Sequence, residues 1–383
     1  MTTTIETLTR NAVDVLPHGE LERKLELGRP LRVKLGIDVT APHVTLGNGI
    51  PLQRMRAFQN DGHIGVLIVG DYTTRIGDPS GRKTTRPILS GEEIDANAKR
   101  YFEHASTIID PDRTEVRFNS EWLSKLDFAE ILRLTRTTTV ARLLERDDFA
   151  KRFDEKTPIS VSELLYPLMQ AYDSVAVDAD VELGGQDQLF NLLTGRDVME
   201  AYELEPQVVL TVELLLSWDG SLMSASRGNY IALKEDPNEQ FGKAMRIPDE
   251  LLPQYYRLVL EQDLPRDEPM EAKLELARFI VSRAWGGEAA SDAEAHFTRV
   301  VRQHEAPDEV EQATLPNGDP VHLPALLVER FGMASTSEAR RLIAQGAVRI
   351  DGEPVTDLDV PRVRLEGALV QAGKRRFMRF SAA

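Results

Sequence analysis

The strongest pattern in the chain is a short alternation of apolar and polar residues that is followed by chain breaks. Its apolar positions are Leu31, Val33, Leu35 and Ile37, and this two-residue period is typical of a β-strand. Gly36, Pro42 and Gly47 interrupt the chain. From Ile50 onward the apolar residues recur at helical spacing. The pattern predicts a strand, a tight loop and a helix whose N-terminal N–H groups could bind phosphate.

Further strands and helices follow in alternation. The run from Gly65 to Gly70 is apolar between its glycines, as expected for a parallel strand that is covered on both faces. Shorter strands are predicted at 115–118, 175–181 and 208–210. Helices are predicted at 5–15, 20–27, 91–110 and 121–152, the last interrupted near 137–139. The alternation indicates an α/β fold with a Rossmann-like parallel sheet and a helical insertion.

The C-terminal part has a different organisation. Residues 236–284 are largely helical, and the polar, proline-rich stretch 305–320 resembles a linker. A small α+β domain is expected after it, with a capped helix at 335–343, a hairpin at 346–355 and a basic strand at 373–380. The predicted domains are 1–235 with an insertion at about 85–160, 236–304, the linker 305–320, and 321–383.

The composition of the chain excludes some kinds of site and favours others. The 383 residues carry a net charge of −16 and include no cysteine, so neither a disulfide nor a thiolate metal site is expected, and we predict no bound metal. Residues 321–383 carry ten Lys and Arg against seven Asp and Glu. A basic tail on an acidic body is expected where only the tail and a local groove contact RNA. Because no apolar run is long enough for a membrane span or a signal peptide, we expect a cytoplasmic protein.

One helix combines three polar side chains at helical spacing. Tyr166, Gln170 and Asp173 lie at i, i+4 and i+7 and therefore share a face. Such a stripe could face solvent, but its neighbours Leu168 and Met169 are apolar, which favours a pocket.

Several motifs occur in the order known from one family. They are the run 36–42 (GIDVTAP), Thr45-Leu46-Gly47-Asn48, Gly77–Gly81 (GDPSG), the Tyr166–Gln170–Asp173 stripe, Gly184–Gln188 (GGQDQ) and residues 222–231 (LMSASRGNYI). With them the chain resembles the bacterial tyrosyl-tRNA synthetases, which are class I aminoacyl-tRNA synthetases. The resemblance covers nearly the whole chain. It implies activation of tyrosine by ATP, with Mg²⁺, followed by transfer to tRNA, and it implies a homodimer formed through the insertion.

The resemblance also implies roles for individual residues. Asp78, Tyr166 and Gln170 would hold the substrate ammonium, and Asp173 would accept a hydrogen bond from the substrate phenol. Gly185 and Asp187 would contact the ribose, and Gln188 the amino-acid carboxylate. The remaining substrate contacts would come from Gly36, Asp38 and Thr40. ATP would meet Thr45, Gly47, Asn48 and Met223, and the catalytic groups would be Thr45, Asn48, Ser224, Ser226 and Arg227.

Two signatures depart from the family pattern. Thr45 and Asn48 replace the two histidines of the first signature, while Leu222 and Ala225 replace the two lysines of the second. Those lysines neutralise the triphosphate, and one well-aimed charge is worth roughly 3–4 kcal/mol in the transition state. Arg227 is the nearest substitute, and Arg82 and Lys83 are further candidates.

The C-terminal segment resembles an RNA-binding module shared with a ribosomal protein. Its candidate phosphate contacts are Arg340, Arg341, Lys374, Arg375 and Arg376. The alternative is a strand and helix whose charges only keep the surface soluble.

Three functions remain open at this stage. The first is a divergent tyrosine–tRNA ligase. The second is a related enzyme that activates tyrosine or an analogue for an acceptor other than tRNA, which the simultaneous change of both ATP signatures favours. The third is a protein that binds tRNA or tyrosine without catalysis.

Overall fold

The protein is described from a computed structural model that covers residues 5–39, 43–75, 90–265, 268–302, 310–373 and 376–381. It divides into two compact units, Met1–Gly286 and Gly287–Ala383. Within the described ranges, no helix has the length and apolar character that a membrane span requires. The domain bounds predicted from the sequence remain predictions.

The first unit is built on a largely parallel sheet. Its strands are β1 Ala12–Leu16, β2 Arg32–Ile37, β3 Ile64–Val69, β4 Thr114–Phe118, β5 Val181–Gly185 and β6 Val208–Val212. They lie in the order β1-β6-β5-β2-β3-β4, and all neighbouring pairs are parallel except β1 with β6. The central strands are buried on both faces, which confirms the Rossmann-like sheet.

The helices of the first unit cover this sheet and form the insertion. They are α1 Ile5–Leu8, α2 Glu20–Leu25, α3 Leu46–Asn60, α4 Gly91–Ala105, α5 Ser120–Leu123, α6 Phe128–Thr135, α7 Val140–Leu143, α8 Asp147–Asp154, α9 Val161–Val177, α10 Leu189–Ala201, α11 Pro237–Ala244, α12 Leu252–Tyr255 and α13 Pro269–Trp285. The expected interruption of the insertion helix near 137–139 is confirmed, because α6 ends before it and α7 begins after it.

Two sequence predictions in this unit are wrong. The helix expected at 5–15 ends at Leu8, and 12–16 forms the edge strand β1. Val13 and Val15 have the β-branched shape that favours a strand once a partner such as β6 is available. The strand expected at 175–181 is helical as far as Val177, where Asp178 ends α9 in a left-handed conformation with φ 48°. Strand β5 begins only at Val181.

The second unit contains a small mixed sheet and short helices. Its helices are α14 Gly287–Phe297, α15 Leu323–Phe331, α16 Thr336–Ala344 and α17 Arg362–Leu365. Its strands are β7 Glu311–Thr314, β8 Val321–His322, β9 Val348–Ile350, β10 Glu353–Pro354, β11 Asp359–Val360, β12 Leu369–Ala372 and β13 Arg376–Ser381. The predicted hairpin is present as β9 and β10, with the turn at Asp351 and Gly352.

Two details of this unit differ from the sequence predictions. Strand β7 lies inside the predicted linker and pairs in parallel with β13. A polar edge strand with one face in solvent carries too few apolar residues to be recognised from its sequence. The expected capping box of α16 is only half formed, since Ser335 accepts from the N–H of Glu338, but the Glu338 carboxylate accepts from Ala334 N.

Candidate active site

A cavity of about 440 Å³ opens at the carboxyl ends of the parallel strands. Asp38 follows β2, Gly70 follows β3, Gly185 ends β5 and Glu213 follows β6, and all four line the cavity. Ligands of open α/β sheets lie at this edge because the loops after parallel strands converge there. The position of the cavity therefore follows from the topology of the sheet.

Most of the residues that the sequence selected line this one cavity. They are Gly36, Asp38, Thr45, Gly47, Asn48, Tyr166, Gln170, Asp173, Gly185, Asp187, Gln188, Met223, Ser224 and Ser226. Arg227 is exposed next to the lining residue Ser226 but does not itself line the cavity. Thr40 and Asp78 lie outside the described residues, as do Arg82 and Lys83.

Helix α9 presents the predicted polar stripe to the cavity. Tyr166 and Asp173 are buried, and Gln170 is partly buried between them. The Tyr166 hydroxyl donates to Oδ2 of Asp38 at 3.1 Å, which connects the helix to the end of β2. The stripe therefore faces a pocket and not solvent, as the apolar neighbours indicated.

Asp173 is the most strongly perturbed carboxylate of the site. It is 3% exposed, and burial raises its pKa to about 7. Lys34 and two hydrogen bonds act against this shift. Trp122 Nε1 donates to Oδ1 of Asp173 at 2.8 Å, and Asn119 Nδ2 donates to Oδ2 at 3.5 Å. A buried carboxylate with unused lone pairs favours a ligand that brings a hydroxyl donor.

Sequence reasoning missed Asn119, Trp122 and Lys34. Asn119 directly follows β4, which was predicted, and Trp122 lies in α5, so the convergence of parallel strand ends could have identified Asn119. Lys34 lies between the buried Val33 and Leu35 in β2 and is itself 0% exposed. A lysine within a strand that is covered on both faces requires a buried partner, and this is the signal that could have singled it out.

The residues of the first signature cap helix α3. Oγ1 of Thr45 accepts from Asn48 N at 3.3 Å, and Oδ1 of Asn48 accepts from Thr45 N at 2.9 Å and from Thr45 Oγ1 at 2.8 Å. This reciprocal pair satisfies N–H groups at the start of the helix. The oxygen of the Asn48 amide is therefore engaged in the cap.

The first and second signatures are joined by backbone hydrogen bonds. Leu46 N donates to Ile231 O and Leu233 N donates to Val44 O, both at 2.8 Å. A β-carbon on Gly47 would lie 4.0 Å from the β-carbon of Met223. The start of α3 and the 222–226 loop therefore form adjoining walls of one cavity.

Asn229 organises the loop of the second signature. It is 5% exposed, and its amide donates to the Asp219 carboxylate, to Ser221 Oγ at 2.8 Å and to Leu222 O at 3.2 Å. Its oxygen accepts from Ser224 N at 3.1 Å. Ser224 Oγ in turn lies 2.9 Å from Ser226 Oγ. The loop is thus fixed by one buried amide, independently of the side chains at 222 and 225.

Gly185 and Asp187 form a tight corner after β5. A β-carbon on Gly185 would lie 2.5 Å from Asp187 Oδ1 and 2.7 Å from Leu214 Cδ2, so a larger residue would displace both side chains. Oε1 of Gln188 accepts from Asn191 Nδ2 at 2.9 Å.

The described part of the cavity wall is acidic. Asp38, Asp173, Asp187 and Glu213 line it, and none of its described residues is lysine or arginine. Within the described ranges no group of three or more His, Asp or Glu residues has the arrangement of a metal site. Such a wall suits an ammonium group, whereas phosphates require positive charge from elsewhere.

The candidate RNA contacts that the structure describes lie in the second unit. Arg340 and Arg341 are exposed on α16, and Arg376 is exposed at the start of β13. Nη1 of Arg376 donates to Phe331 O at 2.9 Å. Lys374 and Arg375 lie outside the described residues.

Solved structures with the same fold include tyrosyl-tRNA synthetases. The enzyme of Archaeoglobus fulgidus complexed with L-tyrosine has a TM-score of 0.60 and 21% identity, covering 76% of this chain and 97% of that one. The mitochondrial enzyme of Aspergillus nidulans has a TM-score of 0.60 and 20% identity, covering 76% and 91%. These similarities confirm the fold over about three quarters of the chain.

The sequence comparisons identify the family. Residues 26–302 match the tRNA synthetases class I (W and Y), and residues 323–361 match the S4 domain. The tyrosine–tRNA ligase of Moorella thermoacetica is 50% identical and covers 97% of this chain and 94% of its own length. That of Thermotoga maritima is 47% identical, covering 98% and 97%. This chain belongs to the tyrosine–tRNA ligase family of class I tRNA synthetases, with a C-terminal S4 domain.

Proposed function

We propose that this chain activates tyrosine with ATP and transfers the tyrosyl group to tRNA. The observation that carries the proposal is the buried Asp173 beside Tyr166 and Gln170 in a cavity at the strand ends. Tyrosine-specific synthetases are the usual example of a site that rejects an analogue without the hydroxyl, since its buried polar group would stay unpaired. Asp173 supplies such a group here.

The reaction has two steps. A carboxylate oxygen of tyrosine attacks the α-phosphorus of ATP, so that pyrophosphate leaves and tyrosyl-adenylate forms. A ribose hydroxyl at the 3′ end of tRNA then attacks the carbonyl carbon, and AMP leaves. The enzyme forms no covalent bond, so its contribution is positioning and electrostatic stabilisation. Mg²⁺ accompanies ATP as part of the substrate and neutralises its phosphates. The protein meets these substrates in the cytoplasm.

Different residues contact different parts of the substrates. Tyr166, Gln170 and Asp78 hold the ammonium of tyrosine, Asp173 accepts from its phenol, and Gln188 contacts its carboxylate. At the other end, the first turn of α3 and the 222–226 loop receive ATP through Gly47, Asn48 and Met223, with Gly185 and Asp187 at the ribose. Arg227 supplies positive charge to the phosphates from the edge of the loop. In the second unit, Arg340, Arg341, Lys374, Arg375 and Arg376 contact tRNA phosphates.

Product analysis tests this assignment. Incubation with ATP and tyrosine should give tyrosyl-adenylate and pyrophosphate, and addition of tRNA should give tyrosyl-tRNA and AMP, all identified by mass spectrometry. The Arg340→Ala/Arg341→Ala variant should charge less tRNA and form adenylate normally, because its changes lie in the second unit. Adenylate without charged tRNA would instead indicate another acceptor, and absence of adenylate would indicate a protein that only binds.

The pKa of Asp173 predicts a pH dependence of tyrosine binding. Asp173 must be ionised to accept strongly from the phenol, and its pKa is about 7. Lowering the pH from 8 to 6 should therefore raise the Kd for tyrosine by up to about tenfold, as measured by calorimetry without ATP. Asp173→Asn should bind more weakly and lose this dependence. A Kd of the native protein that stays constant over this range would contradict the role of Asp173.

The missing lysines predict slow activation. Restoring them in Leu222→Lys/Ala225→Lys should accelerate ATP–pyrophosphate exchange by at least about tenfold, because the charges face the leaving phosphates. The Kd for tyrosine should not change. Leu27→Lys/Met270→Lys is a matched control, since it adds the same charge at exposed apolar positions that do not line the cavity. Equal rates in both variants would refute this account of the loop.

We further propose a homodimer formed through the helical insertion. This region and the first residue of α9 expose large apolar side chains, namely Phe128, Leu132, Val140, Phe153 and Val161. Exposed apolar groups of this size favour burial against a partner. Phe153→Glu/Val161→Glu should halve the mass measured by light scattering, whereas Val363→Glu, at a position 78% exposed in the second unit, should not. A monomeric native protein would refute the dimer.

A further inference from the structure

A buried ion pair lies beneath the tyrosine end of the cavity. Lys34 on β2 and Glu182 on β5 are direct neighbours in the parallel register, so their side chains leave the same face of the sheet. They are 0% and 1% exposed, and Nζ of Lys34 lies 2.8 Å from Oε1 of Glu182. Neither residue lines the cavity, so neither can contact the substrate directly.

All three ammonium hydrogens of Lys34 have partners. Besides Glu182, Nζ donates to Oγ of Ser174 at 2.8 Å and to the carbonyl oxygen of Gln170 at 3.0 Å. The second oxygen of Glu182 accepts from Ser174 Oγ at 3.1 Å and from Gln207 Nε2 at 2.8 Å. The pair is therefore a closed network and not an isolated contact.

This network is attached to the part of α9 that carries the substrate residues. The backbone of Gln170 and the side chain of Ser174 receive its hydrogen bonds, and Ser174 is the neighbour of Asp173. The side chains of Gln170 and Asp173 line the cavity on the same helical segment. Any movement of this segment away from the sheet would lengthen the bonds to Lys34 and shift both substrate residues together.

The opposite side of the network is also fixed. Gln207 is 0% exposed and lies against Gly195 of α10, where a β-carbon would be 2.4 Å from Gln207 Nε2 and 3.1 Å from Glu182 Oε2. Because residue 195 is glycine, the side-chain amide of Gln207 can occupy this space. Glu182 is consequently held from α9 and from Gln207 at once.

Stability alone does not explain a buried pair of this kind. The desolvation of two charges costs several kcal/mol per ion, and apolar residues of similar volume often replace such a pair without loss of stability. The geometry therefore indicates that the pair holds neighbouring residues in position.

We propose that the Lys34–Glu182 pair, through Ser174, positions the Gln170–Asp173 segment of α9 and thereby sets the preference for tyrosine over phenylalanine. Lys34, Glu182 and Ser174 are positioning residues, because they act through α9. The inference rests on the proposed activation of tyrosine and extends it to residues outside the cavity wall.

The decisive variant replaces both charges at once. Lys34→Met/Glu182→Leu removes both charges together, so it avoids the large penalty of a single unpaired buried charge and should remain folded. In ATP–pyrophosphate exchange its KM for tyrosine should rise at least about tenfold, and its ratio of kcat/KM for tyrosine over phenylalanine should fall at least about tenfold. Its KM for ATP should stay within about twofold, since the hydrogen bonds of the pair lead to α9 and Gln207 and not to the residues assigned to ATP.

Ser174→Ala is the milder second variant and does not depend on the double variant folding. It removes the side-chain link between the pair and α9 and leaves the bond from Lys34 to Gln170 O, so we expect the KM for tyrosine to rise about threefold with the KM for ATP unchanged. Ser106→Ala is its control, because it removes a serine hydroxyl at the end of α4 that donates to Phe102 O at 2.7 Å and does not contact the pair.

The outcomes separate the two proposals. If the native protein neither binds tyrosine by calorimetry nor exchanges pyrophosphate, the proposed function fails. If the native protein activates tyrosine and folded Ser174→Ala and double variants keep its KM for tyrosine and its preference over phenylalanine, the positioning role fails. An equal rise of the KM for tyrosine and the KM for ATP would also overturn it, since that would indicate a general structural effect.

Discussion

The parallel register of β2, β3, β5 and β6 is the constraint on which the site depends. It brings four chain segments that are distant in sequence to one edge, where their polar residues surround a single cavity. The same register places Lys34 beside Glu182, because parallel neighbours direct equivalent side chains to the same face. The visible site and the buried pair below it are therefore two consequences of one arrangement of strands.

The segments 45–48 and 222–226 are each fixed by an asparagine side chain. Thr45 and Asn48 cap α3 through each other, and Asn229 fixes the 222–226 loop without a lysine. The backbone bonds between 44–46 and 231–233 then hold both segments together. The start of α3 and the 222–226 loop are thus held by hydrogen bonds that involve neither the side chain of Leu222 nor that of Ala225.

Local patterns predicted the parts of the fold that local chemistry determines. The buried strands at 64–69 and 208–212, the capped helix α16 and the Asp351–Gly352 turn all carry their signals within a few residues. Strands β1 and β7 were missed because an edge strand takes its structure from its partner, and polar or mixed residues suffice where one face meets solvent. The end of α9 was misplaced since Val175 and Val177 have strand-like shapes in a helix.

The site residues also differ in whether the neighbouring sequence is enough to predict them. The Tyr166, Gln170 and Asp173 stripe could be recognised because its three residues lie on two turns of one helix. Trp122 and Asn119, which donate to Asp173, come from another segment, and only the folded sheet brings them there. Lys34 shows this difference most clearly. Its position between two apolar residues of a buried strand can be seen in the sequence, but its partners are 136 to 148 residues away. A charged residue in a buried strand therefore indicates that a partner exists. Only the fold determines which residue the partner is and which other residues the pair can position.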